Sequence, residues 1–429
     1  MKHIIQIILC ILILSVAHKT KAQQVQYARE IINTLASDAY KGRGYVHNGD
    51  KMAADYIAKR FKCDSLIPLY GKSYFQPYDL SVNIFPGNMK VFLNNDLLVP
   101  GQDYLVDASS PSIKGKFKIV SVTAQEIDTN DKLLELNSRS KGKFVLLDTR
   151  VKDSNTDPNT INKIIESLKY DPGFDFKGLI IITNDKLTWT TEPFQSLRPV
   201  ITVNKKDLNV AEINIIEVNI EADFIKKYTT QNVVGLVKGT SISDSMIVIT
   251  AHYDHLGEMG KGVIFHGAND NASGTAMLLC FAKYYATHRP KYNTVLIAFS
   301  GEEIGLLGSK AFVDNPLIDL KKIKFLVNFD LAGTGDEGIK VVDGTIYKKQ
   351  FDILDSLNKE YNLLSKVEIR GEACISDHCR FYAKGVPSFF IYTLGGIAAY
   401  HDIYDRAETL PLTNFQNYFD LMVKFFDAL

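Results

Sequence analysis

Three apolar runs in the second half of the chain each end in side chains of the kind that hold metal ions, and this repetition limits what the chain can fold into. Met246 to Ala251 is followed by His252, Tyr253 and Asp254. Thr294 to Ser300 is followed by Gly301, Glu302 and Glu303, and Phe325 to Phe329 by Asp330. Short, uninterrupted runs rich in Val, Ile and Phe read as strands buried on both faces. A helical pattern from Ala272 to about Thr287 separates the first two runs. Strands alternating with helices imply a mostly parallel sheet with helices on both faces, and such sheets gather ligands beyond the carboxyl ends of their strands. The expected class is therefore α/β, with a mixed, mostly parallel central sheet flanked by helices.

Two further segments supply candidates for the same edge. GANDNASG, Gly267 to Gly274, is a loop of small residues that feeds the helix and presents Asp270, and His401 lies in AAYHDIYD near the C-terminus. Zinc takes N and O ligands at about 2.0–2.2 Å and, in catalytic sites, leaves a position open for water. A carboxylate bridging two ions about 3.5–4 Å apart lets the pair polarise a carbonyl and hold the attacking hydroxide. A second carboxylate, free of metal, must then take the proton of the water. Glu302 and Glu303 can divide these roles, because consecutive residues point in different directions. Alone, a His at a strand end is more often a hydrogen-bonded loop residue, a Glu-Glu pair is usually solvated surface, and an Asp after a strand is commonly a helix cap. The repeated placement after successive apolar strands is what reverses these odds.

At 429 residues the chain exceeds what one hydrophobic core serves, so a second domain or a large insertion is expected. Residues Tyr27 to Ser65 read as helical, with Met52, Ala53, Tyr56, Ile57, Arg60 and Phe61 recurring every three to four positions after the turn segment KGRGYVHNGD. From about Leu80 to Phe224 the pattern changes to short β-like runs: Met89 to Phe92, Lys116 to Val122, Phe144 to Leu147, Leu179 to Thr183, and Val200 to Val203. Asp153 to Asn162 reads as a loop. This middle region holds no His and its carboxylates are dispersed, so it is expected to be non-catalytic.

The N-terminus has a short basic segment, an apolar run from Ile4 to Val16, and small residues at Thr20 and Ala22. A membrane span needs roughly 20 apolar residues, and this shorter run reads as a signal peptide over 1–22, implying a periplasmic or extracellular protein. Removing Lys2, Lys19 and Lys21 with the leader leaves a balance about three charges negative, too small to suggest nucleic acid or an anionic membrane as partner. Cys63, Cys280, Cys374 and Cys379 then remain. Their scatter is neither a disulfide framework nor a structural zinc pattern. Only Cys374 and Cys379 are close in sequence, where an exported protein can oxidise them, and Cys280 falls on the apolar face of its helix.

The segments ITAHYDHLG, GANDNASG, AFSGEEIGLLGS, VNFDLAG, SDHCRFYAKGVP and YHDIYDRAETL resemble, in order, the M28 family of zinc peptidases, an aminopeptidase group with a phosphorylase/hydrolase-like fold. The resemblance implies His252, Asp330, Glu303 and His401 as terminal ligands of two zinc ions and Asp270 as their bridge. It further implies Glu302 as general base and Asp254 as the carboxylate that orients His252. Asn269 replaces the first Asp of the family's GADDNASG. Some secreted relatives place a Tyr just before the SDH motif to stabilise the oxyanion, whereas here Glu372, Ala373 and Cys374 precede Ile375 and Ser376. The oxyanion donor is left open among Tyr400, Tyr392 and His378. Asp377, His378 and Tyr400 are expected to shape the substrate pocket, and His255, His266 and His288 match no family ligand.

The middle region is similar to a protease-associated domain through KGKFVLLD, FKGLIIIT and RPVITVNK. The organisation implied is a leader over 1–22, an N-terminal helical part over 23–80, a β-rich insertion over 81–229 that borders the site, and the catalytic domain over 230–429. The function implied is a secreted aminopeptidase acting on peptides with a free N-terminus. A glutaminyl cyclase shares the fold but uses one zinc to close an N-terminal Gln into pyroglutamate. A non-catalytic module on this fold loses ligands or the base, and none is missing here.

Overall fold

The structure is a computed structural model that describes residues 24–150, 158–206 and 208–429. The expected leader lies outside them. The catalytic half is built on a nine-stranded sheet whose four central strands, Asn293–Phe299, Met246–His252, Ile323–Phe329 and Ser388–Thr393, lie side by side and parallel. Antiparallel neighbours flank them: Asp223–Val237 on one side, Ile339–Val342 on the other. Register is what matters for function. His252 pairs with Phe299 and Thr250 with Asn328, so the chain leaves all three strands that end in candidate ligands level, at one edge.

Side chains alternate across these strands, as the two-residue period of a strand requires. Ile247, Ile249 and Ala251 join a core covered by helices Gly49–Cys63, Gly274–Thr287 and Phe415–Ala428, whereas Val248 joins a second core with Phe312 and Phe381 from helices Leu307–Asp314 and His378–Tyr382. Helices thus cover both faces, and with both faces dry the strands read as unbroken apolar runs. The N-terminal helical segment is two helices, 24–35 and Gly49–Cys63, separated by short 3₁₀ turns through KGRGYVHN.

The middle region forms its own eight-stranded sheet between Met89 and Ile220. Strands Ile113–Thr123, Phe144–Asp148, Gly178–Ile182 and Val200–Val203 run parallel at its centre. Two helices, Asn130–Ser140 and Pro158–Tyr170, cover one face through Leu136, Ile164 and Leu168. The loop expected over Asp153 to Asn162 is therefore corrected: helix begins at Pro158, where a ring lacking an N–H suits the first turn, and the preceding residues fall outside those described. Strands Phe75–Ile84 and Asp223–Val237 pair antiparallel from Phe75–Val233 to Ile84–Asp223 and carry the chain into and out of this region. The expected boundaries at 81 and 229 fall inside that ladder.

Candidate metal centre

His252 closes its strand with the imidazole fully buried. Its Nε2 lies 3.5 Å from Asp270 Oδ1 and 3.3 Å from Asp330 Oδ2. On the other side of Asp270, His401 Nε2 lies 3.1 Å from Asp270 Oδ2 and 3.2 Å from Glu303 Oε2. The five side chains thus form two groups that share one carboxylate, with each oxygen of Asp270 facing a different imidazole. His252, Asp270 and Asp330 bring their ligand atoms within 4.8 Å of one another, and so do His255, Asp270 and Glu303.

Local folding explains the convergence. Gly267 has φ +58°, and a Cβ there would meet the backbone carbonyl oxygen of Asp270 at 2.1 Å and the His255 ring at 2.4 Å, so only glycine lets the loop turn so tightly. The backbone N–H groups of Asn269 and Asp270 donate to Asp405 at 2.8 and 2.9 Å. From beneath, the buried Arg43 donates to the carbonyls of Leu35, Tyr253, His266, Gly267 and Asp270. Burial lowers the Arg43 pKa only to about 10, which leaves a full positive charge under the loop. Asp330 is steadied by Ser376, whose hydroxyl donates to Oδ2 at 3.3 Å and accepts from Asn328 at 2.9 Å. Within the SDH motif it is thus the Ser that touches a ligand side chain.

Burial and neighbouring charge push the adjacent glutamates apart. Desolvation, reinforced by Asp377, Glu303 and Asp330 against the opposing pull of His252, raises Glu302 well above the usual carboxylate range. For Glu303 burial works the other way from the outcome: His401 and His255 outweigh it and hold the carboxyl well below that range. His401 is opposed by burial but held up at about 11 by Glu303 and Asp270. Such clustering of buried carboxylates calls for cations. Asp330 Oδ1 is buried with no hydrogen-bond partner among the described residues, and two imidazoles with three carboxylates are the donor set zinc takes. The residues fit the group.

Asp254 accepts from the Tyr45 hydroxyl and from the Glu302 N–H, each at 3.2 Å. Its backbone oxygen, 3.1 Å from His252 Nδ1, is the nearer contact to that ring, the carboxylate lying at 3.7 Å. Tyr400 stacks on His401 with ring centres 4.0 Å apart. A cleft of about 200 Å³ opens over His252, Asp270, Glu302, Asp330 and His401, and Tyr400 and Tyr392 line it. Asp377 and His378, expected to shape this pocket, do not line it. Both are buried, and His378 Nε2 faces the Ala373 carbonyl at 3.1 Å and Asp343 at 3.7 Å.

His255 lies in the loop after its strand, as a non-ligand His was expected to, but it is fully buried there with Nδ1 2.7 Å from Glu303 Oε1, while Oε2 faces His401. Its place three residues after His252 was the available signal. His266 pairs with Asp38 at 2.8 Å, and His288 stacks on Tyr284 at its helix end. Cys374 and Cys379 form a disulfide, with Cα atoms 4.9 Å apart, whereas Cys280 is buried and free.

The insertion reaches this centre through the segment after Ile182. Thr191 donates to the Glu303 carbonyl at 2.7 Å, Trp189 N–H to the His401 carbonyl at 2.8 Å, and Lys186 to the carbonyls of Ala398 and Tyr400. Lys186 also pairs with Asp402 at 2.5 Å. Trp189 itself is fixed by stacking on Phe265, 4.7 Å between centres, and by donating to the Val106 carbonyl at 2.7 Å.

Fold and ligand geometry together define a class: an α/β metallopeptidase-type domain with its ligands at the carboxyl edge of a central sheet. Residues 232–426 match the model of Peptidase family M28, and this stretch is a domain of that family. Aminopeptidase YwaD of Bacillus subtilis (strain 168) is 34% identical over 141 residues, 32% of this chain and 30% of its own length. A probable zinc metalloprotease of Pyrenophora tritici-repentis is 35% identical over 116 residues, 26% of this chain and 24% of its own. The matched stretches therefore span less than a third of those relatives. Over the whole fold, BSAP, a zinc aminopeptidase from Bacillus subtilis, superposes with a TM-score of 0.67 over 93% of both chains at 20% identity. A peptidase M28 precursor from Shewanella amazonensis gives 0.67 over 96% of both at 17%. The shared fold thus extends through the insertion.

Proposed function

We propose that this protein is an exported, two-zinc aminopeptidase that hydrolyses the first peptide bond of substrates with a free N-terminus. The observation that carries the reading is the shared Asp270 carboxylate, one oxygen facing His252 beside Asp330 and the other facing His401 beside Glu303. His252 and Asp330 would hold one ion, Glu303 and His401 the other, with Asp270 between them. Zinc at these positions supplies Lewis acidity toward the scissile carbonyl and toward a water. Glu302, at the cleft and outside both ligand groups, takes the proton of that water as its oxygen adds to the carbonyl carbon. It then delivers the proton to the amine nitrogen as the C–N bond breaks. Tyr392 and Tyr400 are the hydroxyls of the expected set that line the cleft and can donate to the developing oxyanion. Asp254 fixes Glu302 through its N–H and His252 through its backbone oxygen.

Export is supported by the leader-like N-terminus and by the Cys374–Cys379 disulfide, a bond that oxidising compartments preserve. Glu302→Gln tests the catalytic reading. It keeps the shape of the side chain and removes the base, so turnover of aminoacyl fluorogenic substrates should fall by about 10²–10⁴-fold while zinc content by elemental analysis stays at that of the parent. A variant that keeps near-parental turnover would remove Glu302 from the role.

A further inference from the structure

Arg370 lines the cleft beside the metal-ligand cluster, and no carboxylate among the described residues pairs with its guanidinium. Its Nη1 donates to the hydroxyl of Tyr392, 3.0 Å away, on the same wall. The acids nearest in sequence are engaged elsewhere: Glu368 pairs with Lys340 and Lys366, and Glu372 accepts from the Tyr382 hydroxyl at 3.2 Å. Apart from the metal ligands and Glu302, the lining is apolar or aromatic, with Leu331, Ile375 and Phe390 completing it. The backbone beneath Arg370 is fixed, its N–H donating to the Val341 carbonyl at 2.9 Å just beyond the short strand Val367–Ile369. Arg370 is half-buried and its guanidinium has no carboxylate partner among the described residues. Its fork matches a carboxylate in paired hydrogen bonds.

We propose that Arg370 is a specificity residue that receives a carboxylate of the substrate, namely the side chain of an N-terminal Glu or Asp. The inference rests on the aminopeptidase reading and narrows it to acidic N-termini. The C-terminal carboxylate of a dipeptide presents the same chemistry, so the test separates the two sources. Hydrolysis of Glu- and Gln-anilides, and of Leu-Gly and Leu-Gly-amide, is measured with the zinc-loaded protein and with its Arg370→Met and Arg370→Lys variants. Binding of free L-Glu and L-Gln is measured by calorimetry alongside.

The expected result is a kcat/KM for Glu at least about tenfold above that for the uncharged isostere Gln, a ratio that collapses in Arg370→Met and is partly kept in Arg370→Lys. L-Glu should bind more tightly than L-Gln by a similar factor. A preference for Leu-Gly over its amide that vanishes in Arg370→Met, with Glu and Gln treated alike, would overturn the side-chain assignment in favour of the C-terminus. Hydrolysis and binding indifferent to charge and to Arg370 would overturn the inference and leave the aminopeptidase standing. Arg370-dependent binding of L-Glu with no hydrolysis of any substrate would support the subsite and remove the aminopeptidase reading.

Discussion

Asp270 is the single residue on which both ligand groups depend, because its two oxygens face different imidazoles. Removing it should cost both metal sites, whereas removing His401 should cost one. Asp270→Ala is therefore expected to purify with little or no zinc, and His401→Ala with one ion fewer than the parent. Equal zinc content in the two variants would show that Asp270 is not shared. His252, Glu302, Glu303 and Asp330 were legible in the sequence because each directly follows an apolar strand, so the strand pattern itself pointed to them. Arg43, Asp405 and His255 were not. Apart from the Arg43 bond to Leu35, Arg43 and Asp405 act on backbone atoms more than a hundred residues away, and no local pattern encodes such partners. His255 was visible as a residue, but its contact with Glu303 depends on two strand ends lying level, which only the register supplies.

At the scale of elements, the segment 183–193 of the insertion acts as a brace. It reaches both Glu303, through Thr191, and the loop that carries His401, through Lys186 and Trp189. Hydrogen bonds that orient metal ligands from behind typically hold 10–100-fold in affinity or activity. Lys186→Ala should accordingly weaken the zinc proposed at His401 by about tenfold, read by competition with a chelator of known affinity, and leave the ion proposed at His252 in place. An unchanged chelator titration would contradict the bracing role. Most strands here were visible in the sequence, because runs such as Phe144 to Leu147 and Val200 to Val203 are dry on both faces. The two helices of the insertion were harder to see. Asn130–Ser140 buries only Leu136 and Ser140 and leaves Leu134 exposed, so its helical periodicity is faint.

At the scale of the whole molecule, the proposed export rests on the leader-like pattern of residues 1–22 and on the Cys374–Cys379 disulfide. Mass spectrometry of the protein recovered from its native compartment should show a chain beginning at Gln23. A chain that retains residues 1–22 and stays in the cytoplasm would contradict export. None of the described helices is long and apolar enough to cross a membrane. The fold was legible as a class, since strands alternating with helices leave few arrangements. The resemblance already implied an insertion bordering the site; the bonds that join it there, from Thr191 to the Glu303 carbonyl and from Trp189 to the His401 carbonyl, come from the structure. Hydrolysis at a free N-terminus is measured by product-resolved mass spectrometry of peptides incubated with the zinc-loaded protein, including peptides that begin with Glu, Leu and Gln. The expected result is stepwise release of the first residue, with water added across each broken bond. Peptides left intact, or loss of ammonia from those beginning with Gln and no cleavage of the others, would contradict it.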